Sequence, residues 1–216
     1  MLIEIWSDIV CPWCYIGKRR FERGLAALED RDDVEIVHRA YQLNPAMPKG
    51  EVRDHHDALM TKYGMSDSQA TAMQHQMERT AAAEGLEFRL VGGVTGNTFD
   101  AHRLVQLGRE RGRQDAVLER LFRAHFTEQR SIFDTSSLVA LAGDAGLDAG
   151  EARAALAGDA HADAVNAELR EARGLGISGV PYFVLDRRYA ISGAQPAELF
   201  AEALTRAQAD ARMAPR

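Results

Sequence analysis

The stretch Ser7-Asp8-Ile9-Val10-Cys11-Pro12-Trp13-Cys14-Tyr15-Ile16-Gly17 holds the only two cysteines of this 216-residue chain, spaced Cys-x-x-Cys. Upstream, residues 2–6 alternate apolar and polar side chains, which predicts a short strand. Downstream, apolar residues recur with the period of a helix at Phe21, Leu25 and Leu28. The pair is therefore predicted at a strand-to-helix junction, with Cys11 at or just before the first helical turn.

Cys11 lies where a thiolate is favoured. The first backbone N–H groups of a helix lack intrahelical partners, and the helix dipole places partial positive charge there. A thiolate at Cys11 is therefore expected to be stabilised, which provides more nucleophile at neutral pH and a better leaving group in disulfide exchange. Cys14, one turn later, is the expected resolving thiol. Pro12 suits an early helical position, and Trp13 offers a flat apolar surface beside the sulfur.

Two other interpretations of the cysteines are less well supported. Free cysteines are commonly buried as small hydrophobic residues, but a Cys-Pro-x-Cys pair between a strand and a helix is not typical of that role. A zinc site needs two more ligands. The chain has no second Cys-x-x-Cys, and its histidines, His55 and His56 included, show no H-x3-5-H spacing. The pattern favours redox chemistry and predicts no metal site.

Composition argues against several classes of function. The net charge is −6, from 26 basic and 32 acidic residues, and no dense run of Lys or Arg predicts a nucleic-acid partner. No stretch approaches the ~20 apolar residues of a membrane span, so no membrane partner is predicted. The N-terminus has neither a cationic n-region nor a long apolar h-region, and a lone cysteine pair fits a reducing compartment. We therefore expect a cytoplasmic protein.

The rest of the chain predicts a helical segment between two groups of strands. Residues 34–41 form a second predicted strand, parallel to the first because a helix lies between them. From about residue 52 to 175 there is almost no strand signal and amphipathic helical periods recur; His125, on one of these apolar faces, is predicted to be a core or boundary histidine. Strands return as a hairpin at residues 180–185 and 189–192, followed by a final helix from about Gln195.

A glycine-rich segment, residues 92–98, introduces one helix of the middle region. It lacks the G-x-x-x-x-G-K-[ST] pattern of a phosphate-binding loop, and Asn97 or Thr98 as an N-cap accounts for it without a ligand. His102, one turn into that helix, faces the redox pair only if the helical segment folds over it.

The elements follow one another as strand, Cys-x-x-Cys, helix, strand, insertion, hairpin and helix. This order resembles a thioredoxin fold, and the insertion resembles that of the DsbA-like superfamily, FrnE-like branch. The resemblance covers nearly the whole chain and is carried by three groups of residues: the stretch 7–17; Asn97-Thr98 with Ala101-His102-Arg103; and Gly179-Val180-Pro181 with Ile191-Ser192-Gly193-Ala194-Gln195-Pro196. It implies an α/β thioredoxin fold with a large all-helical insertion between the second strand and the C-terminal hairpin. The implied domains are residues 1–45 with 176–216, and 46–175.

The resemblance also implies a function. It points to a thiol–disulfide oxidoreductase that acts through Cys11 and Cys14 on protein or small-thiol disulfides. The intervening dipeptide lacks the histidine that helps to stabilise the thiolate in the strongest oxidants of this superfamily. We therefore expect a reduction potential between about −120 and −270 mV, the values for DsbA and thioredoxin.

The same resemblance assigns a substrate site. In thioredoxin-like folds the proline that matches Pro181 is cis and faces the redox cysteines. By that similarity the Val180–Pro181 bond is expected to be cis, and the Val180 backbone to pair with an extended substrate segment. Pro12 and Trp13 form the apolar rim of the site in this interpretation.

An alternative function stays open. The fold also resembles kappa-class glutathione transferases and 2-hydroxychromene-2-carboxylate isomerases, whose insertion carries a similar Asn-His-Arg stretch, so Asn97 and His102 are candidate supporting residues. Those relatives characteristically place serine at the position of Cys11, which argues against isomerase chemistry but leaves glutathione binding open. The alternative is therefore a glutathione-dependent transferase or isomerase that acts on a small organic molecule. A binding or chaperone-like module is a third class. We expect no cofactor beyond glutathione as a candidate co-substrate, and a monomer or homodimer.

Overall fold

The computed structural model describes residues 1–28 and 31–213, so residues 29–30 and 214–216 of the predicted domain ranges lie outside the described residues. The strands are β1 (Leu2–Ser7), β2 (Glu35–Ala40), β3 (Val52–Asp54), β4 (Val94–Gly96), β5 (Tyr182–Leu185) and β6 (Tyr189–Ser192). The helices are α1 (Pro12–Ala26), α2 (His55–Tyr63), α3 (Asp67–Ala82), α4 (Phe99–Glu110), α5 (Gln114–Phe126), α6 (Thr135–Asp144), α7 (Ala149–Ala157), α8 (Ala162–Gly174) and α9 (Ala197–Met213).

The main sheet has the strand order β2-β1-β5-β6. Strand β2 is parallel to β1, because α1 carries the chain back before β2 begins, whereas β5 pairs antiparallel with both β1 and β6. The parallel pair, the C-terminal hairpin and the final helix are confirmed. The thioredoxin-like fold with a helical insertion between β2 and β5 is confirmed as well, while the domain boundaries stay a prediction.

The insertion is not wholly helical, which is a correction in detail. Strands β3 and β4 pair antiparallel as a second, two-stranded sheet. Each has three residues, and all of β3 is exposed. A strand this short and solvent-exposed leaves no apolar alternation to detect, and the pairing joins segments about 40 residues apart. Strand β5 also begins two residues later than predicted, at Tyr182.

Side chains of β1 alternate between the two faces of the main sheet. Ile3 and Ile5 pack with Phe183 and with Phe200 of α9 on one face. Trp6 points to the other face, where it packs with Ala172 of α8 and with Ile177 and Val184. Helices α1 and α9 approach so closely that a Cβ at Gly24 would lie 2.6 Å from Cβ of Phe200. This position therefore requires glycine.

A network of buried charges holds α8 against the sheet. Glu4 of β1 accepts hydrogen bonds from Arg39 (2.6 Å) and Arg187 (2.8 Å). Although burial by itself raises the pKa of Glu4, these hydrogen bonds and charges outweigh it and hold the pKa below its ordinary value. Glu168 of α8 accepts from Arg39 (3.0 Å), from the backbone N–H of Ala40 (2.8 Å) and from the side-chain amide of Gln106 (2.6 Å).

The insertion also covers the start of α1. The ring of Tyr15 stacks on Phe122, with ring centroids 4.8 Å apart, and on Phe88 at 5.8 Å. Both cysteines belong to the same apolar cluster as these insertion residues. The strand-to-helix junction is thus enclosed between the sheet and the helical insertion. No helix among residues 1–28 and 31–213 is long and apolar enough to cross a membrane.

Candidate active site

Backbone hydrogen bonds set the start of α1. Cys11 is the N-cap residue, in extended conformation, and Pro12 is the first helical residue. The backbone N–H of Cys11 donates to the Asp8 carbonyl, and that of Cys14 donates to the Cys11 carbonyl, both at 3.0 Å. The Cys11 side chain therefore sits at the position where free helical N–H groups accumulate, as the sequence predicts.

Cys11 faces the segment that precedes β5. Both cysteines are free thiols and nearly buried, at 5 % and 2 % exposure. The Cys11 thiol donates to the carbonyl of Val180 at 3.5 Å, and the Val180–Pro181 peptide bond is cis. A Cβ at Gly17 would lie 2.8 Å from Cγ of Pro181, so the close approach of α1 to this segment depends on glycine. The structure therefore brings Cys11, Val180 and Pro181 together.

The rim residues differ in exposure. Trp13 is 41 % exposed and stands at the surface beside the pair, whereas Pro12 is only partly exposed. Leu43, which follows β2, is exposed to the same degree as Trp13. Large apolar side chains exposed next to a buried thiol can contact a bound molecule.

Cys14 lies in an environment that opposes its ionisation. Burial raises the pKa of the Cys14 thiol well above its ordinary value, and Cys11 adds to that rise. A hydrogen bond with the Asp8 backbone opposes the rise, while the negative charge of the Asp8 carboxylate reinforces it. Cys14 is therefore a thiol that needs a base in order to react.

Asp8 supplies a buried carboxylate behind the pair. Its Oδ2 accepts from the backbone N–H of Leu43 (2.8 Å), and its Oδ1 lies 3.3 Å from Nε2 of His102. The same Nε2 lies 2.9 Å from the carbonyl of Tyr41. Because a carbonyl oxygen only accepts, Nε2 carries a hydrogen and donates to both oxygens. The structure thus places His102 behind the redox pair, through Asp8.

The rest of the Asn-His-Arg stretch has other contacts. Asn97 accepts from Gln42 (3.1 Å) and from the backbone N–H of Phe99 (2.9 Å), and it donates to the Met47 carbonyl, so it holds the segment after β2. Thr98 is the N-cap residue of α4 but makes no side-chain capping bond. Arg103 donates to three carbonyls at the end of α7, namely those of Ala155, Gly158 and Ala160. Neither Asn97 nor Arg103 bonds to a cysteine.

Asp8, and His125 on which its charge acts, carried no predicted role in catalysis. Asp8 lies within the quoted stretch, and the available signal was a carboxylate three residues before the first cysteine in an otherwise apolar run. His125 was predicted only as a core or boundary histidine, and it is partly buried. In the part of the chain that the structure describes, no group of three or more His, Cys, Asp or Glu is arranged to hold a metal ion.

A Cys-x-x-Cys pair follows the first strand of the four-stranded sheet, and Val180 and Pro181 face that pair. This arrangement defines a thioredoxin-fold protein. Residues 2–205 match the family model of the DSBA-like thioredoxin domain, and the chain belongs to that family.

Solved structures agree with this assignment. A crystal structure described as a probable DsbA oxidoreductase from Streptomyces coelicolor is 52% identical, with a TM-score of 0.95, over 100% of this chain and 92% of that chain. A 2-hydroxychromene-2-carboxylate isomerase shares the fold at 18% identity (TM-score 0.71, 100% of both chains). So does the cytosolic disulfide reductase DsbM from Pseudomonas aeruginosa, solved with GSH, at 21% identity (TM-score 0.65, 96% and 100%). These neighbours are consistent with the FrnE-like branch.

Proposed function

We propose that the chain is a thiol–disulfide oxidoreductase whose redox pair is Cys11 and Cys14, acting on disulfides of proteins or small thiols. The observation that carries the proposal is the position of Cys11. Its sulfur lies at the N-terminus of α1 and 3.5 Å from the Val180 carbonyl. A helix N-terminus stabilises a thiolate, and an exposed backbone edge beside it can hold an extended substrate.

The exchange proceeds in two steps. The Cys11 thiolate attacks one sulfur of the substrate disulfide; a mixed disulfide forms, and the other substrate sulfur leaves with the electron pair as a thiolate. Cys14 then attacks the Cys11 sulfur, which releases the second substrate thiol and leaves the Cys11–Cys14 disulfide. The substrate is reduced and the pair oxidised, and the reverse sequence transfers a disulfide to a dithiol. Val180 and Pro181 dock the substrate, while Pro12 and Trp13 form the rim.

Asp8 is proposed as the base for the second step. Its carboxylate is buried, its charge acts on Cys14, and it is oriented by Leu43 and His102. We expect Asp8→Asn, which keeps the shape and an acceptor oxygen, to slow resolution of the mixed disulfide by about 10- to 100-fold, because general-base assistance is lost. Stopped-flow measurement of both steps checks this expectation.

The first step is the internal control for Asp8→Asn. Attack by Cys11 on a substrate disulfide does not require deprotonation of Cys14, so its rate should change less than about twofold. If both steps slow equally, Asp8 supports the structure of the site and does not act as the base.

The proposed function is tested by the redox equilibrium of the pair. The protein is equilibrated in glutathione buffers of graded potential and followed by the fluorescence of Trp6 and Trp13. We expect a reversible two-electron transition with a midpoint between about −120 and −270 mV. Thiols that stay free across this range would exclude a working redox couple and favour glutathione-dependent chemistry on a small molecule.

Other properties follow from this proposal. We propose a reaction that needs no metal or organic cofactor, with glutathione as a candidate co-substrate, and a cytoplasmic monomer or homodimer, since one redox pair as the only cysteines fits a reducing compartment. The supporting roles of Asn97 and His102 are part of the proposal. The transferase or isomerase alternative rests on the fold, shared with the isomerase at 18% identity, and on the similar Asn-His-Arg stretch.

A further inference from the structure

Helix α5 runs antiparallel to α1, and its last turn reaches Tyr15, the residue after Cys14. Early in α5, Asp115 lies 3.0 Å from Nζ of Lys18. One turn later Glu119 accepts from the hydroxyl of Tyr15 at 2.6 Å. Tyr15 then stacks on Phe122 and, at a centroid distance of 6.2 Å, on Phe126. Tyr15 directly follows Cys14 and lies one turn after Cys11, so the continuation of this antiparallel register directs the last turn of α5 toward the turn that holds the two cysteines.

That last turn carries His125, whose surroundings are mostly apolar. Its ring meets Phe133 edge-on, with centroids 5.9 Å apart, and Phe133 in turn covers Gly96 of β4. Neither ring nitrogen has a hydrogen-bond or ion-pair partner within residues 1–28 and 31–213, yet the residue is only partly buried. Ring nitrogens without a partner, on a residue that is only partly buried, are available to a substrate atom.

The electrostatic setting keeps this imidazole neutral. Burial lowers the pKa of His125 to about 4; the charge of His55 adds to the decrease, and the carboxylate of Asp8 opposes it. His125 thus lies within the field of the carboxylate that also acts on Cys14. A neutral imidazole has one N–H donor and one acceptor, so His125 offers a hydrogen bond without a positive charge.

We propose that His125 donates a hydrogen bond to the substrate sulfur that leaves when Cys11 attacks. This inference rests on the proposed function. In that step the new bond joins Cys11 Sγ to one substrate sulfur, the substrate S–S bond breaks, and the leaving sulfur takes the electron pair. The His125 N–H stabilises the developing thiolate without giving up its proton, and the thiolate is protonated by solvent after release.

Two cations of α1 that lie next to α5 are already paired with carboxylates. Lys18 pairs with Asp115 and Glu119, and Arg19 pairs with Glu22 and Glu119. These two cations are therefore already paired, whereas His125 offers a neutral donor to a leaving thiolate, and the benefit depends on the basicity of that thiolate. A hydrogen bond to a charged acceptor is stronger than one between neutral groups, and a strongly basic aliphatic thiolate gains more from it than a weakly basic aromatic one.

The test varies the leaving group. Reduced wild type, His125→Phe and His125→Gln are each reacted in single turnovers with bis(2-hydroxyethyl) disulfide, which releases a basic aliphatic thiolate, and with 2,2′-dithiodipyridine, which releases a good leaving group. We expect His125→Phe to lower the rate constant with the aliphatic disulfide about tenfold, and with the aromatic disulfide less than twofold. His125→Gln, which restores a neutral donor, should recover most of the aliphatic rate.

Each other outcome has a defined meaning. An equal loss with both disulfides, or no loss with either, overturns the role of His125, since a general distortion of the site does not depend on the leaving group. The same holds if His125→Gln behaves like His125→Phe while thermal melts show both folded. If the wild type reacts with neither disulfide, the proposed function itself fails, and that result is separate from any effect of the variants.

Discussion

Cys11→Ser is expected to abolish dithiol–disulfide exchange, lowering kcat/KM by about 10³-fold or more. A serine hydroxyl is not ionised at neutral pH and is a far weaker nucleophile than a thiolate, and a catalytic nucleophile removed from its site causes losses of this order or larger. The replacement preserves the size and the N-cap role of residue 11, so α1 should still begin at Pro12. A coupled thiol assay with a small disulfide measures the loss, and circular dichroism verifies the fold.

Cys14→Ser is the matched variant for Cys11→Ser. It retains the attacking sulfur and lacks only the resolving one, so the first step should proceed and the mixed disulfide should accumulate. Intact-mass spectrometry would then show one substrate thiol attached to Cys11. Full exchange activity in Cys11→Ser, or a substrate adduct on Cys14 in that variant, would contradict the assigned order of the two thiols.

The second large effect concerns stability. Glu168→Ala is expected to lower the free energy of unfolding by about 3–4 kcal/mol, because removing one partner from a buried ion pair leaves the other groups unsatisfied. The backbone N–H of Ala40 and the amide of Gln106 lose their acceptor, and Arg39 keeps only Glu4. The alanine also leaves space between α8 and the sheet. Urea denaturation followed by circular dichroism gives the change.

Glu171→Ala on the same helix provides the control for Glu168→Ala. The Glu171 side chain is 30 % exposed, against 5 % for Glu168, and pairs with Arg187 at the surface. Exposed ion pairs contribute little, so we expect a decrease below about 1 kcal/mol. Similar losses in the two variants would mean that general effects on α8 dominate, and that the buried network is not what holds this helix.

The main elements of the fold could be predicted from local sequence patterns. Strand β1, helix α1 and the C-terminal hairpin follow from periodicity and from the positions of Pro12 and Gln195, and these signals lie within a few residues of the structure they determine. The short strands β3 and β4 could not be predicted in this way, because they are exposed and pair across a long stretch of sequence. Likewise, no local pattern indicates that Nε2 of His38 in β2 contacts Asp115 of α5 at 3.2 Å.

By itself the sequence determined that Cys11 and Cys14 lie at a strand-to-helix junction, since capping residues and the helical period are encoded within one or two turns of each other. Only the tertiary structure decided which side chains share their surroundings. Asp8 meets His102 across 94 positions of sequence, and Tyr15 of α1 meets Glu119 of α5 across 104. The physical reason is that contacts between residues distant in sequence depend on how whole helices pack, and no local pattern encodes the register of one helix against another.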